Sequence, residues 1–213
     1  MKYEWRKQEK AFYLPKEPQL IEVPNYRFLT LTGKGNPNRP EFSEQISALY
    51  AMAYGLRMGL KKGAFGNGPF EYTVYPLEGV WTLPEKPQGP IAKEELIYKI
   101  MIRQPKQVTA DLYAHQLTQV MKKKDNRFLE QIRFEEYREG WSVQACHIGS
   151  FDTETETFAK MKSYCEAHEL SIVPTMGHYQ HREIYLSDSR KTAPEKAKTV
   201  LRWRVATPSK EDA

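Results

Sequence analysis

The spacing of apolar positions predicts strands and helices in alternation. Arg27-Phe28-Leu29-Thr30-Leu31-Thr32-Gly33 alternates in polarity and reads as a strand. Gly33-Lys34-Gly35-Asn36-Pro37-Asn38 is turn chemistry, and it matches neither a phosphate-cradling loop nor a dinucleotide fingerprint. From Glu41 to Lys62, Phe42, Ile46, Leu49, Tyr50, Ala53 and Leu60 recur at helical spacing, and Gly63 with Gly66-Asn67-Gly68-Pro69 stops the helix. A strand over Phe70–Pro76 and a turn at Glu78-Gly79-Val80-Trp81 follow. Another strand spans about Glu95 to Gln104, ended by Pro105.

Tyr113, Leu117, Val120 and Met121 mark a helix from about Thr109 to Lys124. Phe128, Leu129, Ile132 and Phe134 suggest a second helical piece over Asp125–Tyr137. Trp141–Ile148 reads as a strand. Asp152-Thr153-Glu154-Thr155-Glu156 opens a helix with a capping box from Thr153 to Glu156, continued by Phe158, Met161 and Cys165. Two strands close the pattern, His181–Leu186 and Thr199–Val205. Pro15, Pro18 and Pro24 break regular structure in residues 1–26, which read as an extended arm. Residues 207–213 read as a flexible tail.

The order strand-helix-strand-strand occurs twice. Glu71-Tyr72-Thr73-Val74-Tyr75-Pro76 rhymes with Arg182-Glu183-Ile184-Tyr185-Leu186, and Tyr98–Arg103 with Leu201–Val205. The expected fold is therefore α+β. It has duplicated strand-helix-strand-strand modules, about 27–105 and 139–206, joined by linking helices over about 108–138. Their antiparallel sheets would flank a central ligand groove, because equivalent halves favour a site where they meet.

Composition narrows the function. The formal charge of +5, from 32 basic and 27 acidic residues, is mild and scattered. The run Lys122-Lys123-Lys124 closes a helix, where cations suit the macrodipole. Nucleic acid is thus an unlikely partner on this reading. No apolar run approaches the ~20 residues of a membrane span, and the opening segment lacks a leader's apolar core. Cys146 and Cys165 are isolated, as in a reducing cytoplasm. The expectation is a cytoplasmic monomer or weak dimer.

Candidate chemistry centres on the strand His181-Arg182-Glu183-Ile184-Tyr185. Alternation places His181, Glu183 and Tyr185 on one face, expected to be open, and Arg182, Ile184 and Leu186 on the other, expected to pack against a helix. A lone surface Glu is ordinarily solvated. A carboxylate beside an aromatic in a cleft pairs with a cation, accepts a hydrogen bond, or positions water as a general base. Aromatics are abundant, with 13 Tyr, 9 Phe and 4 Trp. Trp81, Tyr54, Trp141, His147, His181, Tyr75, Tyr50 and Tyr113 are the candidate ligand-binding residues; any single aromatic reads more readily as a rim-of-core side chain, while the set reads equally well as a cage. His178 and His181 fall on opposite strand faces, and no metal motif is present, so neither metal nor cofactor is expected.

Tyr72–Trp81 and His181-Arg182-Glu183-Ile184-Tyr185-Leu186-Ser187-Asp188 resemble the GyrI-like family, and the likeness runs from about Arg27 to Val205. That family is similar to the effector-binding domains of multidrug-sensing activators. The resemblance implies a pair of strand-helix-strand-strand modules around a ligand groove, with the residue matching Glu183 inside it. Met1-Lys2-Tyr3-Glu4-Trp5 and Gly33–Asn38 resemble a stand-alone subfamily described as hydrolases of cyclopropane-bearing DNA alkylators of the yatakemycin class. That likeness implies an aromatic cage with an acidic residue assisting water; on this chain Glu183 would orient or deprotonate the water, and Tyr185 or another hydroxyl would donate to the developing oxyanion. The first 26 residues are too short and proline-rich for a helix-turn-helix. Three functions remain: a hydrolase of electrophilic xenobiotics, a non-catalytic sequestering protein, and a gyrase-modulating module.

Overall fold

A computed structural model describes residues 2–63, 66, 68–85, 92–188 and 191–207. The expected tail lies outside the described residues from 208 onward. The elements are α1 (Trp5–Gln8), α2 (Lys10–Tyr13), β1 (Gln19–Lys34), α3 (Pro40–Lys61), β2 (Leu77–Thr82), β3 (Ile97–Gln104), α4 (Ala110–Met121), β4 (Arg133–Ile148), α5 (Glu154–Ala167), β5 (Ser171–Val173), β6 (His181–Tyr185) and β7 (Lys198–Ala206). The fold is α+β with antiparallel pairing. Strand, helix, strand, strand recurs as β1-α3-β2-β3 and β4-α5-β6-β7, with the short β5 interposed. No helix among the described residues is long and apolar enough to cross a membrane.

The chain forms two compact units. One comprises Met1–Gln8, Tyr26–Leu77 and Leu83–Tyr137; the other comprises Glu9–Asn25, Glu78–Thr82 and Arg138–Ala213. In the first, β1 pairs with β3 from Arg27↔Gln104 to Lys34↔Ile97. Helix α3 forms because Ala48, Leu49, Met52, Ala53, Leu56 and Leu60 make one buried stripe. It packs closely on α4. A Cβ on Gly55 would come within 2.9 Å of Val120 Cγ2, so this helix-interior glycine admits the neighbouring helix.

Residues 70–76 are not the expected strand; Leu77–Thr82 is the strand instead, where a turn was expected. The reason is the N-terminal segment. Tyr3 makes an isolated parallel bridge to Tyr72, and Trp5 Nε1 donates to the Val74 carbonyl at 3.0 Å, so the backbone of 70–76 is satisfied outside a sheet. The extended arm is also corrected. Residues 5–8 and 10–13 form short helices that bury Trp5 and Tyr13, and strand β1 already starts at Gln19. The second linking helix is replaced by a 3-10 turn, Leu129–Gln131, and by the start of β4. Here β4 is a hydrogen-bonded neighbour of β1, and this tertiary pairing overrides local helical propensity, with the Arg27–Glu136 and Lys99–Glu135 ion pairs at 2.6 and 2.9 Å alongside.

In the second unit β2 pairs with β6 and β6 with β7. The other edge of β7 pairs with β4, and β5 extends the β6 side. Cross-strand register places Trp81, His181, Glu183, Tyr185, Leu201, Ala145 and His147 on one face. Helix α5 covers that same face, packing Met161 and Cys165 on Val143, Ala145, Leu201 and Val205. The expected assignment of faces is therefore reversed. The Arg182 face carries a buried polar network that also holds the short helix α2. Arg182 donates to Glu139 (3.0 Å) and Glu78 (2.9 Å), and Arg202 donates to Gln144 and to Glu139 (3.2 Å). Gln144 and Arg202 also bond the carbonyls of Ala11 and Phe12, which fastens residues 11–12 onto this unit.

Candidate carboxylate and aromatic site

Strand β6 holds its odd-numbered side chains beneath the N-terminal turns of α5. Glu183 is buried, at 8% exposure. Tyr185 donates its hydroxyl proton to Glu183 Oε2 at 2.7 Å, and His181 Nε2 lies 2.8 Å from Oε1. Trp81, on β2, donates its indole N–H to the Tyr185 oxygen at 3.0 Å. Gly79 lies opposite Glu183 in register, and the absence of a side chain there leaves room for the Trp81–Tyr185 contact. A fixed chain of donors thus runs from Trp81 through Tyr185 to the carboxylate. Burial, then the Glu183 charge, pushes the Tyr185 phenol well above its usual range, so its proton stays on Tyr185.

Aromatic rings close the surroundings. Phe158 of α5 meets His181 edge-on at 5.2 Å and stacks on Trp203 at 5.1 Å. Phe151, in the 3-10 turn before α5, meets Tyr185 edge-on at 6.1 Å while remaining 55% exposed.

A second carboxyl belongs to the site. Glu154 opens α5 and is 8% exposed; among the described residues, its Oε1 finds no hydrogen-bond partner. Burial, reinforced by the Glu183 charge, pushes its pKa up to about 9, so it is neutral at pH 7 while sharing a field with Glu183.

The other expected site residues fall in both units. His147 lies on the Glu183 face, but it anchors the turn into α5. Its Nδ1 is 2.9 Å from Thr157 Oγ1 and its Nε2 is 3.0 Å from the Ser150 carbonyl. Strand alternation gives Trp141 the same face, where it is 43% exposed. Tyr50, Tyr54, Tyr75 and Tyr113 belong to the first unit. Tyr50 and Tyr54 pair along α3 at 6.2 Å, with Tyr54 exposed. Tyr75 is interior, stacked on Trp5 and lying under the Arg103 guanidinium. Tyr113 stacks on Phe134 and donates to the Ile132 carbonyl.

The capping box is absent: Thr153 makes no capping bond and instead donates to the Ser150 carbonyl. Reading Thr153 as a cap concealed Glu154. The usable signal was its place on the inward stripe Glu154, Met161, Cys165, flanked by the half-buried Phe158, where a carboxyl replaces an apolar residue. Among the described residues, no three His, Cys, Asp or Glu side chains gather in a metal-holding group.

Comparison with known proteins gives the family. No curated protein matches the chain. Among solved structures, an uncharacterised conserved protein from Listeria innocua is 34% identical, with 96% of this chain and 100% of that one covered at a TM-score of 0.88. A hydrolase from Listeria innocua is 33% identical, covering 96% of this chain and 100% of its own, at a TM-score of 0.85. The EcmrR C-terminal domain, 11% identical, shares the fold at a TM-score of 0.53 over 90% of this chain and 98% of that one. The GyrI-like small molecule binding domain matches residues 16–206, nearly the whole length, and the chain belongs to that family.

Proposed function

We propose that this protein binds flat, largely apolar xenobiotics against the Glu183 face and hydrolyses those carrying an activated cyclopropane conjugated to a dienone. The observation that carries this reading is the buried Glu183 carboxylate, held at both oxygens and bordered by aromatic rings. Relatives at about one-third identity described as hydrolases support the reaction class.

In this reaction Glu183 orients a water and takes its proton as the oxygen attacks the ring methylene. A C–O bond forms and one ring C–C bond breaks. The released electron pair passes through the dienone to its carbonyl oxygen, which becomes phenolic on protonation. The net change is addition of one water. Tyr185 and His181 hold the carboxylate rotamer, and Trp81 holds Tyr185. Electron-rich ring faces favour the electron-poor carbon. The physiological role is removal of DNA-alkylating compounds in the cytoplasm.

Incubation with a cyclopropane-bearing alkylator, followed by mass spectrometry, should reveal a product heavier by one water. Glu183→Gln should lower turnover by about 100-fold or more while the ligand still quenches tryptophan fluorescence. Tight binding with no product from the wild-type protein would instead identify a sequestering protein.

A further inference from the structure

Three residues around Glu154 fix where its side chain lies. Phe151, three positions earlier, touches Tyr185. Thr157, three positions later, is bonded to His147. Phe158, four positions later, touches His181. Residues three and four apart share a helix face, so Glu154 is directed at the same sheet face as Tyr185, His147 and His181. Its carboxyl is buried there, with Oε1 left without a partner among the described residues. An unmet buried polar atom is costly, and folded chains keep few of them. Glu183, by contrast, has both oxygens occupied.

We infer that Glu154 is the proton donor of the site, a neutral carboxylic acid that protonates the substrate oxygen receiving the electron pair as Glu183 takes the proton of water. The inference rests on the hydrolytic reading. Two carboxyl groups in different surroundings then divide the work. Glu154 buries its oxygen without a donor and stays protonated; Glu183 accepts two hydrogen bonds and serves as the base. Tyr185 is unsuited to donate, because its proton is committed to Glu183 and burial holds it there. The balance is closed. Glu154 loses the proton that the oxygen gains, Glu183 gains the proton that water loses, and transfer from Glu183 to Glu154 restores the starting state.

The titratable groups facing Glu154 are Glu183, Tyr185 and His181 from β6 and His147 from β4. Strand β7 contributes Thr199 and Leu201, and β2 contributes Gly79 and Trp81. Of these, Glu183 is the neighbour that opposes ionisation of Glu154.

The test pairs kinetics with titration. In the wild-type protein kcat should fall on the alkaline side, as Glu154 ionises near pH 9. Glu154→Gln should lower kcat about 100-fold and remove that alkaline limb, with substrate binding changed less than about threefold. Carbon NMR of the side-chain carboxyls should show Glu154 neutral at pH 7, and ionising at lower pH in Glu183→Gln. An ionised Glu154 at pH 7, or a Glu154→Gln protein with wild-type kcat and an intact alkaline limb, would overturn the inference. Hydrolysis itself would still stand. A wild-type protein that forms no hydrolysed product removes the reaction and the donor role with it, whatever the carboxyl's charge.

Discussion

At the scale of single residues, Glu154 links the site to stability. Its folded-state pKa of about 9 stands above the ordinary value of 4.5, so between these values the folded chain keeps a proton that the unfolded chain releases. The stability contributed by this group is complete below the unfolded value and is lost as pH rises through the folded one. The melting temperature of the wild-type protein relative to Glu154→Gln should therefore decline steadily from pH about 5 to about 9. A difference independent of pH would show that the carboxyl is not held neutral by the fold. A buried carboxyl oxygen that finds no partner among the described residues belongs at a working site, where perturbed carboxyls cluster.

At the scale of elements, the β2–β6 pair sets the geometry of the carboxylate. Gly79 faces Glu183 across the ladder, and a Cβ there would lie 2.8 Å from Trp81 Nε1 and 3.2 Å from the Tyr185 oxygen. Gly79→Ala should therefore push apart Trp81 and Tyr185, the donor chain that ends on Glu183. Turnover should fall by about 10- to 100-fold, with a stability loss of about 1–3 kcal/mol. Steady-state kinetics and urea unfolding measure the two effects separately; unchanged kcat would show that the donor chain has no role. Helix α5 supplies the complementary wall, since its inward face runs from the acid Glu154 past the half-buried Phe158 to the core residues Met161 and Cys165.

At the scale of the whole molecule, the face of the second-unit sheet opposite the site is tied together by charge. Burial opposes ionisation of Glu139, yet Arg182 and Arg202 overcome it and hold the carboxyl below its usual range. The network joins β2, β4, β6 and β7 to the chain at residues 11–12. Breaking it leaves two guanidinium groups buried without their shared carboxylate. Glu139→Gln should cost about 3–5 kcal/mol in chemical denaturation. A loss under about 1 kcal/mol would mean that solvent reaches the pair. The contribution of Glu139 should also fade as the pH falls through its depressed pKa, because protonation removes the charge that both arginines need.

The local pattern determined what local physics can specify. The α3 stripe, the turn chemistry after Lys62, the alternation that puts His181, Glu183 and Tyr185 on one strand face, and the α+β order all rest on periods of a few residues. Tertiary structure decided the rest, because the deciding contacts join residues far apart in the chain. Tyr3 and Trp5 claim the backbone of 70–76 and move the strand to Leu77–Thr82. Pairing of β4 with the distant β1 makes Arg133–Glu136 strand. The period of a strand separates its two faces but carries no information about which of them a helix will cover. Only the packing of α5 shows that the face is the one bearing Glu183, and only that packing brings Glu154 to it.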